Sequence, residues 1–476
     1  MRSASKLSAC VTTVTFGIAL VWARSGVAQP ADDAADQTPS RPAVKFNRWQ
    51  EDWSVLADPS VPKEWLDDLK YIPLSADNPK TYLSLGMNLR ERYELNDTVG
   101  FGTGTNQADD YLISRLEVHS DLRIASQVQV FAQLQSDFAP GKKVLTPVDQ
   151  DRLDLEQAFV AVTEPLDSGT LKLRFGRQEI GFDLQRFISV RDGPNVRQSY
   201  DAAWADYEHG PWRYIAFYSR PVQDRDLRPF DDYSNGALTY GGFRVERQIL
   251  DSATLAAYFS RFTQDSARFI SANGNERRNI ADLHFAGTRE QFDWDIEGMT
   301  QTGEIGSKDI QAWAFGSILG YSWPEDTWTP RLGLQMDAAS GNKDPNGQQL
   351  NTFNPLFPNG YYVTLAGYTG YVNFIHVKPS VTVHPSRNLK IMLAAGAQWR
   401  ETTADAVYTQ PDIPIAGTAG HPGRYTGTYA QLRIDEILTE HWSVALEAVH
   451  FAIADAIRAA GGRDSSYVGA EVRFGW

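Results

Sequence analysis

The chain reads as an all-β protein, a transmembrane antiparallel β-barrel of eighteen strands, with sixteen as the alternative count. Three observations predict this. Period-two alternation begins near Tyr82 and recurs to the C-terminus. One face of each alternating stretch is wet. The chain also opens with an export leader and closes on a strand ending in an aromatic residue, Trp476. An alternating stretch with one oily and one wet face is a strand, because the 3.6-residue period of a helix would scramble both sets.

The leader comes first. Arg2 and Lys6 make a basic start, Val11 to Trp22 form a short apolar core, and Gly26-Val27-Ala28 supply small residues before Gln29. Residues 1–28 are therefore expected to be a secretory signal peptide, too short for a membrane span. Leu7-Ser8-Ala9-Cys10 imitates a lipoprotein cleavage box, but the apolar stretch follows it instead of preceding it. Removing the leader takes away the single cysteine and leaves 42 basic against 59 acidic residues, a net charge of −17. Disulfide and thiol chemistry are excluded, and so acidic a chain is not expected to bind nucleic acid.

Residues 29–80 form a lead segment with Pro30, Pro39, Pro42, Pro59, Pro62, Pro73 and Pro79 and no sustained alternation. One helical turn is expected near Lys63–Leu69, and Trp49, Trp53 and Trp65 suggest docking on another surface. The barrel domain is placed at 81–476. Leu83, Leu85, Met87, Leu89, Tyr93 and Leu95 share one face with Glu91, against Ser84, Gly86, Asn88, Arg90, Arg92 and Glu94. Leu112, Leu116, Val118, Leu122 and Ile124 oppose Ile113, Arg115, Glu117, His119, Asp121 and Arg123. Similar stretches start near Val128, Leu171, Leu332, Ile391 and Trp442, and the last strand opposes Val468, Ala470, Val472 and Phe474 to Glu471 and Arg473.

These stretches run to about 9–13 residues, longer than the ~5–6 of soluble strands and close to membrane-strand length. A face of Arg, Glu, Asp, Gln and Gly cannot be a dry core, since burying an unpaired charge costs several kcal/mol. It can line water, so the predicted location is the outer membrane of a Gram-negative bacterium. Sharing residues 81–476 among eighteen strands allows 22 residues for each strand and its connection. Long loops are expected at 96–110, 140–152, 181–200, 264–279, 341–360 and 402–427, all rich in Gly, Pro, Asn or Asp.

Several phrases then carry a family resemblance: Tyr82-Leu-Ser-Leu-Gly86 leading to Arg90-Glu-Arg-Tyr-Glu94, Phe175-Gly-Arg-Gln-Glu179, Pro330-Arg-Leu-Gly-Leu334, Asn351-Thr-Phe-Asn-Pro-Leu-Phe-Pro-Asn-Gly360 and Trp399-Arg-Glu-Thr402. In this order they resemble the alginate export family of outer-membrane porins, across nearly the whole exported chain. The resemblance implies an eighteen-stranded barrel passing an anionic uronate polysaccharide through an arginine-lined constriction. The implied partners are that polymer or another anionic solute, outer-membrane lipid and the barrel assembly machinery; no cofactor is implied.

A polyuronate carries one carboxylate per sugar and calls for a row of replaceable cationic contacts. The candidates are the wet-face arginines Arg90, Arg92, Arg115, Arg123, Arg174, Arg400 and Arg433. Each could instead pair with a neighbouring acid such as Glu94, Glu117, Asp121 or Glu447 and serve only the wall. The stretch 181–201 adds Arg186, Arg191 and Arg197; its composition favours a solvated external loop over one folded inward. An uptake porin for small organic acids or aromatic compounds is the alternative function, and a plugged barrel acting as an adhesin or anchor is a third. Enzyme readings are weak. His119 is near Ser114 and Ser120 in sequence, but those serines fall on the other face. Asn342 to Gly347 imitates the start of a calcium loop, yet Phe353 stands where its last ligand belongs.

Overall fold

The computed structural model describes residues 41–104, 108–410 and 412–476. The expected signal peptide and residues 29–40 of the lead segment lie outside them. Eighteen strands of nine residues or more make up the wall: β1 (Tyr82–Asn96), β2 (Asp109–Ile124), β3 (Val128–Phe138), β4 (Asp151–Leu166), β5 (Gly169–Glu179) and β6 (Ser199–His209). They continue as β7 (Trp212–Gln223), β8 (Leu238–Ile249), β9 (Ala253–Arg268), β10 (Asn273–Arg289), β11 (Phe292–Ile305) and β12 (Lys308–Ser322). The last six are β13 (Arg331–Ala339), β14 (Phe374–Val383), β15 (Leu389–Trp399), β16 (Tyr425–Ile437), β17 (Trp442–Ile453) and β18 (Ser465–Gly475). Each pairs antiparallel with the next, and β18 closes on β1 from Asn88 opposite Gly475 to Asn96 opposite Tyr467. Closure leaves no unpaired edge, which a bilayer would penalise heavily.

The side-chain alternation follows the pleat. Val118, Val130, Phe175, Leu283, Leu393 and Leu446 are exposed on the outside, as a lipid-facing belt requires, while Arg90, Arg92, Glu94, Arg115, Glu117 and Asp121 are buried inside. Phe292, Tyr321 and Trp323 stack edge to face at one rim, and Trp442 meets Phe474 there too, the aromatic girdle of a membrane interface. That rim carries the short turns; one of the two-residue turns, between β6 and β7, relies on Gly210 at φ 54. Short turns mark the periplasmic end and long loops the extracellular one.

Two loop expectations need correction. Residues 264–279 are mostly strand, because β9 runs to Arg268 and β10 starts at Asn273 around a bulge. Strands that rise beyond the bilayer no longer need an oily face, so polar residues there do not signal a loop. The stretch 181–201 is expected as a solvated loop, yet no residue of 180–198 is exposed and most are buried. It folds into the lumen, where Ile188 bridges to Phe357 of the second inward loop, 340–373. Phe182, Phe187, Phe353, Phe357, Tyr362 and Tyr371 join the two loops to the wall in one apolar cluster. Burying these rings holds both loops inside at ~25 cal/mol per Å² of apolar surface.

The lead segment enters from the periplasmic end. An α-helical turn, Asp67–Lys70, overlaps the end of the turn expected near Lys63–Leu69, and two 3-10 turns, Arg48–Gln50 and Trp53–Ala57, precede it. Arg48 donates to the Met87 carbonyl and Asn88 Oδ1 and pairs with Glu51, and Trp53, Leu56 and Val61 pack against Tyr82. The segment reaches far enough inward for Phe46 to lie 4.1 Å beneath the Arg197 guanidinium of the first inward loop.

Candidate functional site

Strand register builds the site. Arg90 on β1 stands directly opposite Arg473 on β18 and Arg115 on β2, so three arginines form one row across the seam where the barrel closes. Like charges at adjacent lumen positions repel, and burial makes the repulsion costly. The tip of the first inward loop resolves it. Asp192 places its carboxylate 2.7 Å from Arg115 Nη1, 3.1 Å from Arg473 Nη2, 3.3 Å from Arg197 Nε and 3.9 Å from Arg90 Nη1. The same arginines donate to loop carbonyls: Arg90 to those of Asp192, Gly193 and Pro194, and Arg115 to those of Pro194 and Asn195. Burial pushes the Asp192 carboxyl up, but the guanidiniums of Arg473, Arg115, Arg197 and Arg90 hold it well below the ordinary carboxylate range.

The base of this loop is fixed to the opposite wall. Asp183 pairs with Arg244 of β8 and His284 of β10, at 2.6 and 2.9 Å. Arg186, fully buried, pairs with Asp295 at 2.9 Å and with Glu297, both on β11, and donates to the Tyr362 hydroxyl. With β1 and β10 on opposite sides of an eighteen-stranded ring, the loop crosses the lumen from one side to the other. Asp183, Gln185 and Arg191 all have positive φ, a strained backbone that only such dense anchoring maintains. The second inward loop fills the neighbouring sector, where the Tyr361 hydroxyl donates to Glu94 and Gln431 accepts from the Leu365 backbone.

The remaining candidates divide into locked and accessible groups. Arg92 is buried among Glu94, Glu447 and Glu471 at 2.7, 2.6 and 3.4 Å. Arg123 pairs with Asp121 and donates to the carbonyls of Trp49 and Glu51, so it clasps the lead segment. Arg174 lies over the rings of Trp49, Phe159 and Trp204. Arg400 lies just past β15 and does not reach the row. It is fully buried and donates to the carbonyls of Thr403, Asp405, Thr418, His421 and Gly423, which organises the 400–424 loop. Arg433 is different: 29% exposed, it faces the periplasmic half of the lumen beside Asp435 and Glu447.

Arg433 has companions that the sequence reading did not single out. Arg473 is 35%, Lys390 30% and Arg331 24% exposed, each with a carboxylate partner, on the periplasmic ends of β18, β15 and β13. Gly320 makes room for one of them: a Cβ there would fall 2.1 Å from Arg331 Nη2. Period two already puts Arg473 on the wet face, but its alignment with Arg90 depends on joining the two ends of the barrel. Chemically, the lumen offers a cationic row, buried at Arg90 and Arg115 and half-exposed at Arg473, closed by a tethered carboxylate, with further half-exposed cations in exchangeable pairs on its periplasmic side. Exposed pairs are weak, about 0–1 kcal/mol, so an incoming anion can replace the acid partner.

Residues 81–471 match the family model for alginate export. No curated protein matches the chain. Solved structures of similar fold include the BenF-like porin of Pseudomonas fluorescens Pf-5, at 8% identity and a TM-score of 0.55, covering 83% of this chain and 99% of that one. OccAB3 of Acinetobacter baumannii has 11% identity and a TM-score of 0.55, covering 83% of this chain and 99% of its own. OccK2 of Pseudomonas aeruginosa, solved in complex with glucuronate, has 9% identity and a TM-score of 0.52, covering 83% of this chain and 96% of its own. At such identities the likeness is one of fold.

Proposed function

The chain belongs to the alginate export family and is an outer-membrane β-barrel porin, and from that premise we propose that it passes an anionic polysaccharide, alginate or a related polyuronate. The observation that carries this reading is the convergence of Arg90, Arg115, Arg197 and Arg473 on one carboxylate. Guanidiniums recognise carboxylates by charge and by paired donors, and Asp192 supplies the group that a uronate would present. Arg433, Lys390 and Arg331 draw the polyanion into the periplasmic half, and their acid partners keep each contact brief enough for release. The net negative charge of the chain does not oppose this, since the field within the lumen governs passage.

A second reading, passage of small organic acids, draws on two observations. Two loops and the lead segment occupy the lumen, and OccK2, similar in fold, was solved with a single uronate sugar. Planar-bilayer conductance separates the two readings. The polymer reading expects anion selectivity and block by added oligouronate at concentrations where free glucuronate has no effect. Equal block by glucuronate favours the small-acid reading, and cation selectivity contradicts both.

A further inference from the structure

Where the ladder row of Arg473, Arg90 and Arg115 continues onto the extracellular ends of β3 and β4, carboxylates gather without enough positive charge. Asp151 and Asp154 on β4 and Asp232 in the 224–237 connection bring one oxygen each to within 4.8 Å of one another. The cation nearest them is Arg177, 3.8 Å from Asp154 and already engaged with Asp201 at 3.1 Å. Asp151 is 1% exposed, and its Oδ2 has no hydrogen-bond partner among the described residues. Directly across the ladder, Asp137 is fully buried with neither carboxylate oxygen hydrogen-bonded, and its one close cation among the described residues is Arg115, whose Nε lies 3.9 Å away and whose guanidinium is shared with Asp192 and loop carbonyls. An orphaned buried carboxylate such as Asp151 costs several kcal/mol, and three further acids beside it, served among the described residues only by the shared Arg115 and Arg177, call for a missing positive charge.

We propose that Asp151, Asp154 and Asp232 hold a divalent cation, with Asp137 behind them as a further source of negative charge. The donors are all hard oxygens with no nitrogen or sulfur among them, which selects calcium over zinc or copper. Their spacing suits an ion bound at about 2.3–2.6 Å from each oxygen, with water filling the remaining positions. The backbone brings the three together: the Asp232 N–H donates to Asp154 Oδ2, the Phe230 N–H to the Leu153 carbonyl and the Arg225 N–H to Asp232 Oδ1.

The ion would also steady the neighbouring arginine row. Asp149, two residues before Asp151, accepts from the Asn195 side chain at its carbonyl, and Asn195 adjoins the loop tip that carries Asp192. Calcium at the rim thus fixes the wall to which the inward loop is tied.

Terbium luminescence, excited through the protein's aromatic residues, and thermal unfolding test this on the full exported chain in detergent. Terbium should bind saturably and be displaced by calcium, with half-displacement near the ~0.1–1 mM of extracellular calcium modules. Calcium should raise the unfolding temperature of the wild type. In Asp151→Asn/Asp232→Asn, which relieves the repulsion and preserves shape, both responses should vanish while heat-modifiable migration still reports a folded barrel. No saturable, calcium-displaceable signal in the wild type, or an undiminished signal in the folded double variant, overturns the site. The readout does not depend on what the porin transports.

Discussion

The two walls that grip the first inward loop do so with opposite polarity. At the seam of β18, β1 and β2, the barrel supplies arginines and the loop supplies the acid, Asp192. At β11 across the lumen, the barrel supplies the acids Asp295 and Glu297 and the loop supplies Arg186. Opening the first contact would leave a cationic row in water, whereas opening the second would leave a pair of carboxylates. Only the seam is suited to receive an anion; the far wall is an anchor.

The largest effect is expected where the anchor is cut. Arg186→Gln strands Glu297 and Asp295 in the interior and should weaken loop docking by about 3–5 kcal/mol, read as new proteolytic cleavage within 180–198 while the barrel stays heat-modifiable. Asp192→Asn should have a smaller structural effect, since loop carbonyls still bind Arg90 and Arg115, yet a larger effect on transport: stronger anion selectivity and tighter oligouronate block in bilayers. An Arg186→Gln that alters selectivity more than Asp192→Asn would invert the assignment of the two walls.

Acidity offers a gentler probe. The folded-state value of Asp192 lies below that of the unfolded carboxyl, so its contribution is present above the ordinary carboxylate range. It is lost only as the pH falls through the lowered value. Selectivity should therefore stay level from about pH 8 to about pH 5 and approach that of Asp192→Asn only in stronger acid. The smallest effect belongs to the exposed cations. Arg433→Gln should change stability by no more than about 1 kcal/mol, yet it should weaken block by oligouronate added from the periplasmic side.

Much of this is legible from alternation. Period two assigns Arg90, Arg92 and Arg115 to the lumen, and the wet faces with the closing strand point to a membrane barrel. The count of eighteen rests on chain length and the family resemblance, with sixteen as the alternative. Arg473 was visible on its face but not as a neighbour of Arg90, because no local pattern encodes the pairing of the first strand with the last. The inward course of 180–198 was hidden for a similar reason. Its arginines look solvated until the partners Asp295, Glu297 and Glu117 arrive from distant strands. Arg400 misled in the other direction, as strand phase continued one residue past the end of β15.

The most direct test of the central claim is the reversal potential of single channels in a salt gradient, for the wild type and for a variant with Arg90, Arg115 and Arg473 all changed to Gln. The account predicts an anion-selective wild type and a variant that loses this preference while remaining a folded, conducting barrel. An unchanged reversal potential in the folded variant would contradict it and leave those arginines a purely structural task.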